Sequence, residues 1–102
     1  MNSFYFSIID PLPYLPHLAL KIQSDWRHLI LILNFEFDTK SIEIDGRDEQ
    51  HRASIALKKW YEECGAAASL DKLLQALKEI KRNDIVLFLE NKIEERKLNL
   101  KG

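Results

Sequence analysis

The chain has 102 residues with 15 basic and 16 acidic side chains, for a net charge of −1, so length points to one domain and charge provides no basic excess for gripping nucleic-acid phosphates. Hydrophobic residues make up 46% and charged residues 30%, with three Gly and three Pro, a balance that fits a compact helix-rich domain and argues against disorder. The single cysteine, Cys64, rules out an intrachain disulfide and makes a reducing, intracellular setting the natural home.

Residues 1–9 are apolar and aromatic. They lack the basic start and small-residue cleavage site of a signal peptide and are too short to span a bilayer. They read either as a tail that packs on the domain or as the cut end of a longer protein. The chain divides into an apolar N-terminal tail over 1–13, a helical bundle over 14–97 and a C-terminal tail over 98–102.

Pro11, Pro13 and Pro16 bias their predecessors toward extended backbone, so residues 10–15 are expected to be irregular. Pro16 suits the first turn of a helix, whose apolar face is Leu15, Leu18, Ala19 and Ile22. Ser24 and Asp25 offer an N-cap for a second helix through Asn34. The run Leu29-Ile30-Leu31-Ile32-Leu33, followed by Asn34-Phe35-Glu36-Phe37, reads equally well as a buried strand flowing into an alternating one. Ser41 to Ile44 would be its pairing partner.

The second half has one reading. From Arg52 to Cys64, Ala53, Ala56, Leu57, Trp60 and Cys64 recur at helical spacing, and Gly65 is a stop signal. Ser69 caps a helix with the stripe Leu70, Leu73, Leu74, Leu77 and Ile80. Asn83 or Asp84 opens a last helix with Ile85, Val86, Leu89 and Ile93 on its inner face, and Glu94-Glu95-Arg96-Lys97 reads as a solvated, fraying end.

The ordered set Asp25-Trp26-Arg27-His28-Leu29, Leu33-Asn34-Phe35, Leu57-Lys58-Lys59-Trp60, Leu70 through Leu77 and Ile80-Lys81-Arg82-Asn83-Asp84-Ile85-Val86 resembles a death domain over roughly residues 14–93. The closing segment is similar to those of ankyrins and of the neurotrophin receptor's intracellular tail. The resemblance implies an all-α fold, six antiparallel helices in a Greek-key bundle, and favours helix over strand for residues 29–37. It also implies homotypic or heterotypic assembly with other death-fold domains and a cytoplasmic signalling role, as an adaptor or receptor-associated scaffold. Two features depart from the family pattern: Leu29 to Leu33 is apolar on every side, and Asp38 to Ile44 alternates like a strand.

Trp26 and Trp60 are expected to anchor the core. His17, His28 and His51 show no metal-ligand spacing, and no phosphate loop or nucleophile elbow occurs, so no catalytic residue, metal or cofactor is expected. Cys64 reads as a buried, inert small hydrophobe. Charge is the remaining clue. Asp38, Glu43, Asp45, Asp48 and Glu49 gather in the third-helix region, diluted by Lys40 and Arg47, whereas Lys58, Lys59, Lys72, Lys78, Lys81 and Arg82 lie on helices four and five and the turn after them. With Arg27 and Asp84, these define the expected partner-binding set: Arg27, Asp38, Glu43, Asp45, Arg47, Asp48, Glu49, Lys58, Lys59, Lys81, Arg82 and Asp84. The acidic face of one copy would meet the basic face of another, a heterologous contact that builds rings or spirals. Neither nucleic-acid binding nor membrane insertion is expected. The alternatives are a structural bundle of a larger cytoskeletal or receptor protein that does not polymerise, and a helical nucleic-acid binder using Lys58 and Lys59.

One helix cannot bury Ile30, Leu31, Ile32 and Leu33 together, nor Leu87 and Phe88 with Val86, Leu89 and Ile93. The aromatic tail, Phe4, Tyr5 and Phe6, is expected to cover helix two or helix six.

Overall fold

The computed structural model describes residues 9–33 and 39–101, with side chains through Lys97. Six α-helices occupy these residues: α1 (Leu15–Ile22), α2 (Trp26–Ile32), α3 (Thr39–Asp45), α4 (Glu49–Cys64), α5 (Leu70–Glu79) and α6 (Asn83–Lys101). Short 3₁₀ turns precede α1 and α2 and follow α4. No strand occurs among the described residues, so the strand reading of Leu29–Leu33 and Ser41–Ile44 is replaced by helix through Ile32 with Leu33 as its C-cap, and by helix over Ser41–Ile44. Burial explains the outcome: Leu29 and Ile30 are inside while Leu31 is 73% exposed, a helical split that a strand packed on both faces would not give.

The helices pack out of chain order. α1 lies against α4 and α6, α2 against α4 and α5, α3 against α4, and α5 against α6. This is a Greek-key bundle rather than an up-and-down one, with α4 touching each of the first three helices. Every residue of the α1 stripe is buried, as are Ala53, Ala56, Leu57, Leu70, Leu73, Leu74, Leu77, Ile85, Val86, Leu89 and Ile93. Trp26 and Trp60 are 0% and 2% exposed in the same core. Burying aliphatic side chains of this size contributes roughly 1.5–3 kcal/mol each, before the entropy of ordering the chain is set against it.

The helix ends show how local chemistry sets the boundaries. Asp48 has extended backbone and accepts from the His51 N–H at 2.8 Å, so α4 starts at Glu49, before the Arg52 expected from hydrophobic periodicity. Ser69 caps α5 in the same way, accepting from the Lys72 N–H at 3.2 Å. The α5 terminus closes as a Schellman motif: the Arg82 N–H donates to the Leu77 carbonyl at 2.9 Å and the Lys81 N–H to that of Lys78 at 3.0 Å. Lys81 therefore holds a φ of 63°, where glycine is the usual occupant. Asp25 precedes α2 but caps nothing with its side chain, because its carboxylate is bound elsewhere.

Two boundaries differ from the sequence pattern. Residues 12–14 form a 3₁₀ turn leading straight into α1. At the other end α6 continues to Lys101, so the limit drawn at residue 97 falls inside a helix. Among the described side chains its last buried one is Ile93, and the four that follow, Glu94 to Lys97, are all charged. Cys64 is the final residue of α4, partly rather than fully buried, and packs on the core edge.

The apolar surplus is resolved without full burial. Ile30 is inside, Ile32 and Leu33 are half-buried, Leu31 and Leu87 are exposed, and Phe88 is half-buried. Phe4, Tyr5 and Phe6, the residues expected to cover helix two or six, lie outside the described residues, as do Asp38 and the Asn34-Phe35-Glu36-Phe37 segment.

Candidate interaction surface

The charged residues are organised by two arginines. Arg27, in the first turn of α2, spreads its guanidinium 4.5 Å from the Trp26 ring centre. From there it donates through Nε to Glu43 of α3 at 2.7 Å and through Nη1 to Glu49 of α4 at 2.7 Å. Arg52 joins the cluster, donating through Nη1 to Glu49 at 2.8 Å and through Nε to the Glu43 carbonyl at 3.3 Å. Hydrogen bonds from Arg27 and then Arg52 hold the Glu49 carboxyl down at about 2, and those carboxylates raise Arg27 above its ordinary value.

Arg82, in the turn after α5, organises the second cluster. It donates to Asp25 at 2.6 Å, to both carboxylate oxygens of Asp84 at 3.1 and 3.2 Å, and to the Lys21 carbonyl at 3.3 Å. Asp84 is held below the usual carboxylate range chiefly by its hydrogen bond from Arg82. Asp84 also sits in the first turn of α6, where the helix dipole favours a negative charge.

This arrangement divides the twelve residues singled out from the sequence. Arg27, Glu43 and Glu49 neutralise one another across α2, α3 and α4, and Arg82 and Asp84 pair across the α5–α6 turn. Charged groups expected to meet a second copy are thus partners within one molecule. Asp48 is engaged as the α4 cap, and the Arg47 N–H donates to His51 Nδ1 at 3.0 Å, fixing the α3–α4 turn. Asp45, Arg47, Lys58, Lys59 and Lys81 point outward, and none makes an ion pair among the described residues.

Asp25 and Arg52 were not legible as members of these clusters. Arg52 stands three residues after Glu49, a spacing visible in the sequence once the helix is known to start at residue 49. Asp25 and Arg82 stand 57 residues apart, and nothing local links them.

Among the described residues no group of His, Cys, Asp or Glu converges as a metal site, and no helix is long and apolar enough to cross a membrane. Six helices packed as a Greek key, a core closed around two tryptophans and surface charges tied across helices by Arg27 and Arg82 make a closed helical-bundle module. The chain belongs to the death-domain family, whose family model, described as Death domain, matches residues 13–93. No curated relative and no solved structure matches it significantly. Death domains are protein–protein interaction modules of signalling, and this chain is such a module.

Proposed function

We propose that the chain assembles with other death-fold domains, homotypically or heterotypically, as a cytoplasmic adaptor or receptor-associated scaffold in apoptotic or innate-immune signalling. The observation that carries this reading is the contrast between its cations. Arg27 and Arg82 are consumed by intramolecular carboxylates, whereas Lys58 and Lys59 stand side by side and exposed in the middle of α4 with no ion-pair partner among the described residues. Asp45, Arg47 and Lys81 are similarly exposed and add further points of charge recognition. Such groups steer encounter and select partners more than they add affinity. Family membership supports docking onto another death-fold domain over binding to nucleic acid, and the net charge of −1 agrees.

The test is the double variant Lys58→Glu with Lys59→Glu, followed by light scattering against concentration and salt. Association is lost while helicity and melting stay as in the parent. Unchanged association with intact folding removes these lysines from the interface. A parent that stays monomeric and captures no death-fold domain supports the alternative of a structural bundle. Tight, salt-dependent binding of duplex DNA through the same lysines supports the nucleic-acid alternative.

A further inference from the structure

Where α1 and α6 pack together, Phe88 lies half-buried between them. His17 of α1 meets its edge, with ring centroids 6.2 Å apart, and Nζ of Lys21 and Lys92 stand 4.7 and 5.6 Å from the ring centre. Leu20 and Leu87 are 50% and 62% exposed; one shares the His17–Lys21 side of α1 and the other precedes Phe88 on α6. The result is an apolar surface under a cationic rim. Two carboxylates on the same helix are engaged, Glu95 with Lys92 and Asp84 with Arg82. Lys21 keeps an exposed ammonium with no carboxylate partner among the described residues.

α3 presents the complement. Ile42 is buried, but Ile44 is 82% exposed, the most exposed of the large apolar side chains described. Glu43 is held by Arg27 and Asp48 by the α4 cap, which leaves Asp45, beside Ile44, exposed and without an ion-pair partner among the described residues. Arg47 follows beyond the helix end, in the turn. α3 rests on α4, whereas the Phe88 surface belongs to α1 and α6. Ile44 is therefore placed to meet the Phe88 surface of another copy rather than that of its own.

We propose that Ile44 of one copy docks on the Leu20, Leu87 and Phe88 surface of a second, with Asp45 paired to Lys21. The proposal rests on the assembly reading above and adds a contact separate from Lys58 and Lys59. Two different surfaces meet, so a dimer still has one Ile44 knob and one Phe88 surface free and assembly continues beyond it. The apolar contact provides the buried area, and the ion pair fixes its register.

The test uses charge reversals that re-form the pair only between unlike copies. Asp45→Lys and Lys21→Glu are prepared separately, checked for parent-like helicity and melting, and followed by light scattering at high concentration and low salt. Each alone is expected to lose association at least ~10-fold, since it sets like charges against each other. Mixed together they associate again, because Lys at 45 of one variant meets Glu at 21 of the other. Ile44→Ser, a change at an exposed position, weakens association without altering stability. If the parent associates and either variant alone does so equally well, or the mixture fails to recover, this contact is overturned while the assembly reading stands. If the parent never self-associates, the contact is overturned as well. A parent that also fails to capture any death-fold domain brings down the assembly reading itself.

Discussion

The Arg82 guanidinium donates to the Asp25 carboxylate at 2.6 Å, joining the α5–α6 turn to the start of α2 across 57 residues of sequence. The same arginine holds Asp84 and the Lys21 carbonyl, so one side chain ties α1, α2 and α6 at a single corner. Arg82 is mostly shielded and Asp25 half-exposed, which places the pair at the stronger end of surface ion pairs. A double-mutant cycle with Arg82→Ala and Asp25→Ala should give a coupling of about 0.5–1 kcal/mol at low salt, shrinking as salt rises. Urea unfolding of the four proteins measures it.

Glu49 supplies a pH-dependent share of stability. Its carboxyl is held at about 2 in the fold against an ordinary 4.5, chiefly by hydrogen bonds from Arg27 and Arg52. A folded value below the unfolded one means that the unfolded chain takes up the proton first. The stabilisation is thus complete above the ordinary value and disappears as pH falls from there toward about 2. Glu49→Gln should lower stability at neutral pH and flatten the acid limb in that window. The check is the urea midpoint of both proteins along a pH series.

Gln23 and Gly65 end α1 and α4 in the same backbone conformation, with φ and ψ of 48° and −128° for one and 55° and −124° for the other. Only glycine adopts it without strain. Gln23→Gly should therefore stabilise the fold by about 0.5–1 kcal/mol even though it removes the side-chain hydrogen bond to the Leu20 carbonyl. Gly65→Ala should cost about 1–2 kcal/mol. No atom lies within 4 Å of the added Cβ, so that cost is purely conformational. Thermal melts of the two variants should shift in opposite directions.

Gly46 is required for a different reason. A Cβ there would collide with Arg52 Cγ and come within 2.9 Å of the Ile42 carbonyl oxygen. Arg52 could swing aside only by leaving Glu49 and the Glu43 carbonyl, and the Ile42 oxygen is backbone, already accepting from the Gly46 N–H at 2.8 Å. Gly46→Ala should cost about 1–3 kcal/mol and loosen the Arg27–Glu49 cluster. Unfolding in urea gives the cost, and a less depressed Glu49 carboxyl by NMR titration confirms the loosening.

The sequence alone determined the inner faces of α1, α4, α5 and α6 and the Ser69 and Gly65 helix ends. Each rests on interactions within a few residues, through helical periodicity, capping and φ preference. The family pattern was readable for the same reason, as an ordered spacing of tryptophans and leucines. The stretch Leu29–Leu33 stayed ambiguous because an all-apolar run carries no period, and only packing against α4 and α5 separates buried Leu29 and Ile30 from exposed Leu31. The tertiary structure likewise decided which charges remain available. Glu43, Glu49, Arg27, Arg82 and Asp84 look in the sequence like surface groups awaiting a partner. Folding brings Arg27 within 2.7 Å of Glu43 and Glu49 on other helices and Arg82 within 2.6 Å of Asp25 as well as 3.1 Å of its near neighbour Asp84, leaving Lys58, Lys59, Asp45 and Lys21 outside those ion pairs. An ion pair between distant segments depends on where the helices cross, and that depends on the core as a whole, so no local pattern encodes it.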